Sequence, residues 1–74
     1  MTLPEIVVDG RGLEHPEPME RVLAALDEVQ PGQQVRFLIH RQPYPLYDIL
    51  HRHRYAYETI AGADGNFEIL ISPP

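Results

Sequence analysis

The chain of 74 residues contains no cysteine and no tryptophan, and its six basic side chains other than histidine are all arginine. Because there is no thiol, disulfides, thiolate metal sites, a persulfide and a cysteine nucleophile are all excluded. No apolar run approaches the roughly 20 residues that span a bilayer. The beginning of the chain also lacks the basic and apolar regions of a signal peptide. A cytoplasmic protein without a membrane partner is therefore expected.

The charge of the chain is negative but unevenly distributed. The formal net charge is −5, which argues against a nucleic-acid partner, since phosphate recognition depends on clustered cations. Residues 1–31 contain seven acids and two arginines, whereas residues 32–54 contain four arginines and three histidines against a single acid. The middle of the chain is thus locally basic. A chain of this length has room for one domain, residues 1–74, that buries about 60% of its unfolded surface.

The spacing of apolar residues predicts four strands and two helices. Val35, Phe37 and Ile39 alternate with more polar neighbours, as in a half-buried strand. Apolar residues from Met19 to Val29 recur every three or four positions, as in an amphipathic helix. Strands are expected at residues 5–8, 33–40, 55–60 and 66–71, and helices at 16–29 and 45–53. Ile6, Val7 and Val8 form an apolar run in the first strand, which is consistent with a strand covered by helices. This β-α-β-α-β-β order predicts an α+β fold whose sheet is covered on one face by both helices.

The segment between the first strand and the first helix reads Asp-Gly-Arg-Gly-Leu-Glu-His-Pro-Glu-Pro, from Asp9 to Pro18. Pro16 and Pro18 fit the first turn of a helix, as N1 and N3, because the amides of that turn have no helical partner. His15 would then be the N-cap, where Ser, Thr, Asp or Asn is usual. Such a departure favours a functional role for His15. The alternative, an exposed turn residue without a task, is about equally well supported by a lone histidine.

This segment resembles the signature of the TusA/SirA-like sulfur-carrier family, in which leucine-aspartate, arginine-glycine-leucine and Cys-Pro-x-Pro follow in order. The matching residues are Asp9, Arg11, Gly12, Leu13, Pro16, Glu17 and Pro18. His15 stands where the family carries its sulfur-bearing cysteine. The later run from His40 to Tyr47 is similar to a cysteine-less, functionally uncharacterised branch of that family. The resemblance implies a two-layer domain with a mixed four-stranded sheet.

The two connections that follow the first and second strands are predicted to lie close together. A strand, a helix and a second strand in one sheet normally form a parallel crossover, so both connections lie at one edge, where both helices begin. Ligands of such folds commonly bind there. The candidate ligand- or partner-binding residues are Arg11, Gly12, His15, Pro16, Pro18, His40, Arg41 and Tyr47.

Three functions are compatible with these residues, and none of them is catalytic. The leading hypothesis is a small interaction or ligand-binding module, with a protein as the expected partner. The alternative is a metal- or haem-binding accessory protein that uses His15 and His40. Two imidazoles are too few for a closed zinc site, so this alternative requires an open site, a cofactor or a dimer. The third is a docking partner in a sulfur-transfer or redox pathway.

The remaining histidines and tyrosines have simpler explanations. His51 and His53 lie at the C-terminal end of the second helix, where cations interact favourably with the helix dipole, and too far along it to join His15. Tyr55 and Tyr57 are expected to be half-buried packing residues of the third strand.

Overall fold

The computed structural model describes residues 3–74 and contains the expected six elements in the expected order. Each boundary lies within two residues of its predicted position. Within residues 3–74, no helix has the length and apolar character needed to cross a membrane. The elements are β1 (Ile6–Asp9), α1 (Glu17–Glu28), β2 (Val35–Ile39), α2 (Tyr44–Arg52), β3 (Ala56–Ala61) and β4 (Phe67–Ser72).

The four strands form one mixed sheet in the order β1-β2-β4-β3. β1 is parallel to β2, with Val8 beside Phe37. β4 pairs antiparallel with both β2 and β3. The β3–β4 hairpin closes across a short loop in which the amide of Gly62 donates to the carbonyl of Asn66 at 2.8 Å. The prediction of a mixed four-stranded sheet with two helices is therefore confirmed.

The core lies between one face of the sheet and the two helices. β2 contributes Val35, Phe37 and Ile39, whereas the intervening Arg36 and Leu38 point to the opposite face and are only half-buried. This two-residue alternation is the one expected from the sequence. The buried apolar residues are Val8, Val22, Ala25, Leu26, Val35, Phe37, Ile39, Leu46, Leu50, Ile69 and Ile71.

Among residues 3–74 no helix lies on the opposite face of the sheet, as expected for a sheet that both helices cover on one face. β1 lies at the sheet edge and its apolar run is covered on that one face, so Val7 is 58% exposed. Val8 faces the helices and is buried, so its neighbour Val7 faces outward. On the same outer face Arg36 bridges Glu5 at 2.8 Å and Glu68 at 2.6 Å. These ion pairs tie β2 to the segment before β1 and to β4.

Both helices begin one residue away from the predicted positions. The amide of Glu20 donates to the carbonyl of Pro16 at 3.1 Å, which makes Pro16 rather than His15 the N-cap of α1. Pro18 is accordingly N2, not N3, and still occupies the first turn, where a missing amide breaks no helical bond. Helix α2 starts at Tyr44, so Pro45 again lies in the first turn.

Candidate functional site

A cleft of about 740 Å³ opens where the connections after β1 and β2 meet the beginnings of both helices. Its volume lies within the range of about 300–1,000 Å³ that is usual for ligand pockets. The convergence of the two connections, predicted from the crossover, is thus observed. The cleft is lined by Leu13, His15, Pro18, Met19, Phe37, Ile39, His40, Arg41, Gln42, Pro43, Tyr44, Pro45 and Phe67.

The cleft combines apolar walls with polar groups from its two connections. Phe37 and Ile39 belong to the core and Phe67 packs against it, so these side chains are held by the sheet. His15 comes from the connection before α1, and the exposed His40 and Arg41 come from the one after β2. An apolar cavity with a few polar groups is the usual form of a binding site for small molecules or for single side chains of a partner.

Gly10 allows the connection after β1 to approach the cleft wall closely. Its amide donates to the carbonyl of Leu38 at 2.7 Å, which extends the pairing of β1 with β2 by one step. A Cβ atom at this position would lie 3.0 Å from both Phe37 Cε1 and Pro18 Cβ. The absence of a side chain therefore lets Pro18 pack near Phe37, and both line the cleft.

Arg11 lies outside the cleft that His15, His40 and Arg41 line. Its guanidinium donates to both carboxylate oxygens of Asp9 at 2.9 Å, and its amide donates to the same carboxylate at 3.0 Å. It lines a smaller cavity of about 280 Å³ beside Asp64 and Glu68 instead of the main cleft. Because Arg11 donates both side-chain and backbone hydrogen bonds to it, the pKa of Asp9 is lowered to about 2.

The carboxylate of Asp9 is expected to make the stability of the fold depend on pH. A group whose pKa is lowered by folding stabilises the native state above its unfolded pKa, and that contribution disappears as the pH falls toward the folded value. Asp9→Asn should therefore be less stable than the wild type at pH 7, and the two should converge between about pH 4 and pH 2. Urea titrations at several pH values measure the difference. A difference in the free energy of unfolding that stays constant with pH would contradict stabilisation of the fold by the ion pair between Asp9 and Arg11.

Gly12 and Pro16 shape the chain before α1. Gly12 has φ of +77°, a left-handed conformation that L side chains rarely adopt, and a Cβ there would meet no atom within 4 Å. Glycine is therefore favoured at position 12 by the backbone conformation and not by a lack of room for a side chain. Pro16 follows a cis peptide bond with His15 and supplies the carbonyl that begins α1. Neither residue lines the cleft, whereas their neighbours Leu13, His15 and Pro18 do.

Tyr47 was expected at the edge of the site, but it faces β3. Its hydroxyl lies 2.7 Å from Thr59 Oγ1 and 3.3 Å from Gln42 Oε1, and its ring stacks on Tyr57 with 5.0 Å between centroids. The hydroxyl is therefore engaged within the chain rather than directed into the cleft. The hydroxyl of Tyr57 in turn lies 2.7 Å from His51 Nε2. Tyr55 and Tyr57 are half-buried against the core, as predicted for packing residues.

Several residues of the cleft were not predicted from the sequence. Leu13 belongs to the segment from Asp9 to Pro18, and the prolines beside Tyr44 belong to the run from His40 to Tyr47. Their positions within these two motifs could therefore have indicated them as cleft residues. Phe67 gave no such signal, because β4 reaches the cleft only through its pairing with β2, where Phe67 lies beside Ile39. Metal ligation by His15 and His40 stays a prediction. Within residues 3–74, no group of three or more His, Cys, Asp or Glu side chains could hold an ion.

Comparisons with known proteins place the chain in a family. The family model described as "Uncharacterized conserved protein (DUF2249)" matches residues 7–73. The crystal structure of a SirA-like protein from Desulfitobacterium hafniense is similar, with a TM-score of 0.78 and 26% sequence identity over 89% of this chain and 93% of that chain. The search of curated proteins gave no match. The chain therefore belongs to the DUF2249 family of uncharacterised conserved proteins and has the fold of SirA-like proteins.

Proposed function

We propose that this protein is a non-catalytic binding module whose cleft accepts an apolar group, preferably aromatic, that lies beside a carboxylate on a partner protein. The observation that carries the proposal is the cleft itself, where apolar side chains of the core adjoin the exposed cation Arg41. We also infer that the chain represents a cysteine-less branch of the SirA-like fold, with His15 at the position of the sulfur-bearing cysteine.

The charge around the cleft supports an anionic group on the partner. The ion pairs among residues 3–74 involve Arg11, Arg21 and Arg36, and Arg41 has no carboxylate within 4.0 Å among these residues. Arg41 adjoins His40, so two side chains able to donate to an anion lie together on a chain of net charge −5. A guanidinium without an internal partner is free to bind a carboxylate through two parallel hydrogen bonds.

The apolar side of the cleft supports an aromatic or bulky aliphatic anchor. Tyr44 is 65% exposed and contacts Tyr47 edge-on, with 5.9 Å between ring centroids. Exposed aromatic rings beside a concave apolar surface are common among residues that dominate protein interfaces. Tyr44 and Met19 would therefore contact the anchor from two sides of the cleft.

The chemistry of the cleft also supports a role without catalysis. Among the described residues, its lining has two imidazoles but no carboxylate, serine, threonine or lysine. A histidine general base needs a nucleophile or a polarised water, and an orienting group, to act in hydrolysis or group transfer. Sulfur transfer by the mechanism of the sulfur-carrier family would need the cysteine that His15 replaces. A docking role in a sulfur-transfer or redox pathway remains a narrower version of this proposal.

The proposal can be tested with an aromatic anion as the probe. We expect 1-anilinonaphthalene-8-sulfonate to bind with saturation and to shift the amide signals of His15, His40 and Arg41 in NMR spectra. Arg41→Gln should weaken this binding by about tenfold, because a charge-assisted hydrogen bond is lost. Tyr44→Ala should weaken it by a similar factor through loss of ring contact.

Arg52→Gln is the matched control for Arg41→Gln. Arg52 is also exposed and cationic, but it lies in the last turn of α2 and does not line the cleft. It should leave the affinity within about twofold of the wild type. Equal effects of the two substitutions would attribute binding to overall charge and would overturn the role of the cleft. Circular dichroism of each variant checks that the fold is retained.

Zinc, copper and haem titrations separate this proposal from the metal- or haem-binding alternative. Histidine ligands must be deprotonated, so the affinity of a metal held by His15 and His40 should rise with pH. An anion held by the guanidinium of Arg41, which stays charged, should show no such rise in affinity with pH. Saturable amide shifts with zinc, copper or haem that disappear in His15→Ala would favour the alternative.

A further inference from the structure

In the part of the chain that the structure describes, no strand pairs with the outer edge of β1. The amide of Ile6 donates to Gln34 at 3.0 Å and that of Gly10 donates to Leu38 at 2.7 Å, so these residues direct their backbone groups toward β2. In a strand the groups of alternate residues point in opposite directions, and those of Val7 and Asp9 therefore point away from the sheet. Such an edge is a template for pairing with another strand.

A groove of about 340 Å³ runs between this edge and α1. The exposed Ala24 and the buried Ala25 line it, and the small side chain of Ala24 would allow a neighbouring helix to approach α1 closely. Arg21 and Glu28 line it as well, separated by seven residues, or about 10 Å along the helix axis. The groove therefore has a small apolar centre between Glu28 and Arg21, and Arg21 also pairs with Glu17 of its own helix at 3.0 Å.

This arrangement of charge is complementary to itself under a two-fold rotation. Antiparallel pairing of two β1 strands about an axis perpendicular to the sheet would place both α1 helices on the same face, side by side and antiparallel. Arg21 of each copy would then approach Glu28 of the other, while the alanines meet near the axis. Helices can approach to about 8–10 Å when the residues between them are small.

The central residues of β1 suit such a pairing. With the axis at Val8, Val7 of one copy lies opposite Asp9 of the other, and the outward backbone groups of both residues are paired. The carboxylate of Asp9 is already neutralised by the two hydrogen bonds from the Arg11 guanidinium. The exposed Val7 side chains would lose contact with water on the outer face.

The other sheet edge is less suited to this role. Beside β3, the space next to α2 is filled by the stacked rings of Tyr47 and Tyr57 and by the contact of Tyr47 with Thr59. β3 also carries the exposed Glu58 near its middle, so self-pairing there would bring like charges together. Among the described residues, β1 is thus the edge with both an adjoining groove and complementary charges.

We propose that the chain forms a symmetric dimer through β1, in which two sheets join into one of eight strands and the α1 helices pack across the axis. The residues of this surface are Val7, Val8, Asp9, Arg21, Ala24, Ala25 and Glu28. None of them lines the cleft, so the dimer is independent of the proposed ligand site.

Sedimentation equilibrium of the full chain, from about 10 μM to about 1 mM, tests the dimer. We expect the wild type to approach twice its mass of 8.5 kDa as concentration rises. Ala24→Arg should abolish this increase, because a long side chain separates the helices. Ala63→Arg, the same change in the exposed β3–β4 loop, should leave dimerisation unchanged.

Charge exchange tests the orientation of the two copies. Arg21→Glu and Glu28→Arg should each raise the dissociation constant by about tenfold, since two symmetry-related attractions become repulsions. The double exchange R21E/E28R should return it to within about threefold of the wild type. A wild type that remains monomeric throughout would overturn the proposal. A dimer that Ala24→Arg leaves intact would also overturn it. The same holds if the double exchange R21E/E28R does not restore the affinity of the dimer.

Discussion

Replacing Phe37 with alanine is expected to lower the free energy of unfolding by about 3–5 kcal/mol. The ring is 1% exposed and lies in a central strand, flanked by Val8 of β1 and Ile69 of β4. A domain of this size rarely has more than about 3–5 kcal/mol of total stability. Most Phe37→Ala molecules should therefore be unfolded at 25 °C, which urea titrations followed by far-UV circular dichroism would measure.

Tyr44→Ala is the control for this prediction, because it removes an aromatic ring from the same cleft. Tyr44 is 65% exposed, and a surface substitution of this kind usually changes stability by no more than about 0.5 kcal/mol. The two variants thus separate the wall of the cleft that supports the fold from the wall that is available to a partner. Similar unfolding midpoints for both would contradict the central position of Phe37.

The helices and strands could be predicted from the sequence because each depends on the spacing of apolar residues within a short segment. Alternation at Val35, Phe37 and Ile39 arises from the two-residue period of a strand, and it appears unchanged in the burial of β2. The stripe of α1 similarly predicts burial of Val22 and Leu26. The observed start of each helix differs by one residue from the predicted start, because proline fits several positions of a first turn. Only the hydrogen bonds distinguish these positions.

The position of β1 in the sheet depends on non-local pairing, which periodicity does not encode. A short run such as Ile6, Val7 and Val8 is compatible with a central strand covered on both faces or with an edge strand. Here both helices cover one face, so Val7 is left exposed on the other. The outer edge of β1 has no strand beside it among the described residues, and the proposed dimer would pair this edge.

The candidate site was predicted in its location but only partly in its residues. His15, His40 and Arg41 line one cleft because the crossover brings both connections to one edge of the sheet. Arg11 lies elsewhere, since Asp9, two residues before it, accepts its guanidinium and backbone hydrogen bonds. The direction of a side chain thus depends on neighbours that a motif does not specify. For Tyr47 the deciding neighbours, Tyr57 and Thr59, lie ten and twelve residues later in β3.

Two glycines of the connection after β1 are expected to respond differently to substitution. Gly10→Ala would place a Cβ 3.0 Å from Phe37 Cε1 and Pro18 Cβ and 3.3 Å from Ile39 Cδ1. These neighbours belong to the core and to the start of α1, so the overpacking should destabilise the fold by about 1–3 kcal/mol. Gly12→Ala meets no atom within 4 Å, and its φ of +77° alone should lower stability by about 1 kcal/mol.

Asparagine at the same two positions distinguishes lack of space from backbone strain. Asparagine tolerates the left-handed conformation better than alanine, so Gly12→Asn should recover part of the stability that Gly12→Ala loses. Gly10→Asn should be less stable than Gly10→Ala, because the larger side chain enters the same contact with Phe37 and Pro18. Urea titrations of the four variants provide the comparison. If asparagine improved stability at Gly10 as well, backbone conformation rather than the close approach to the cleft wall would explain the glycine there.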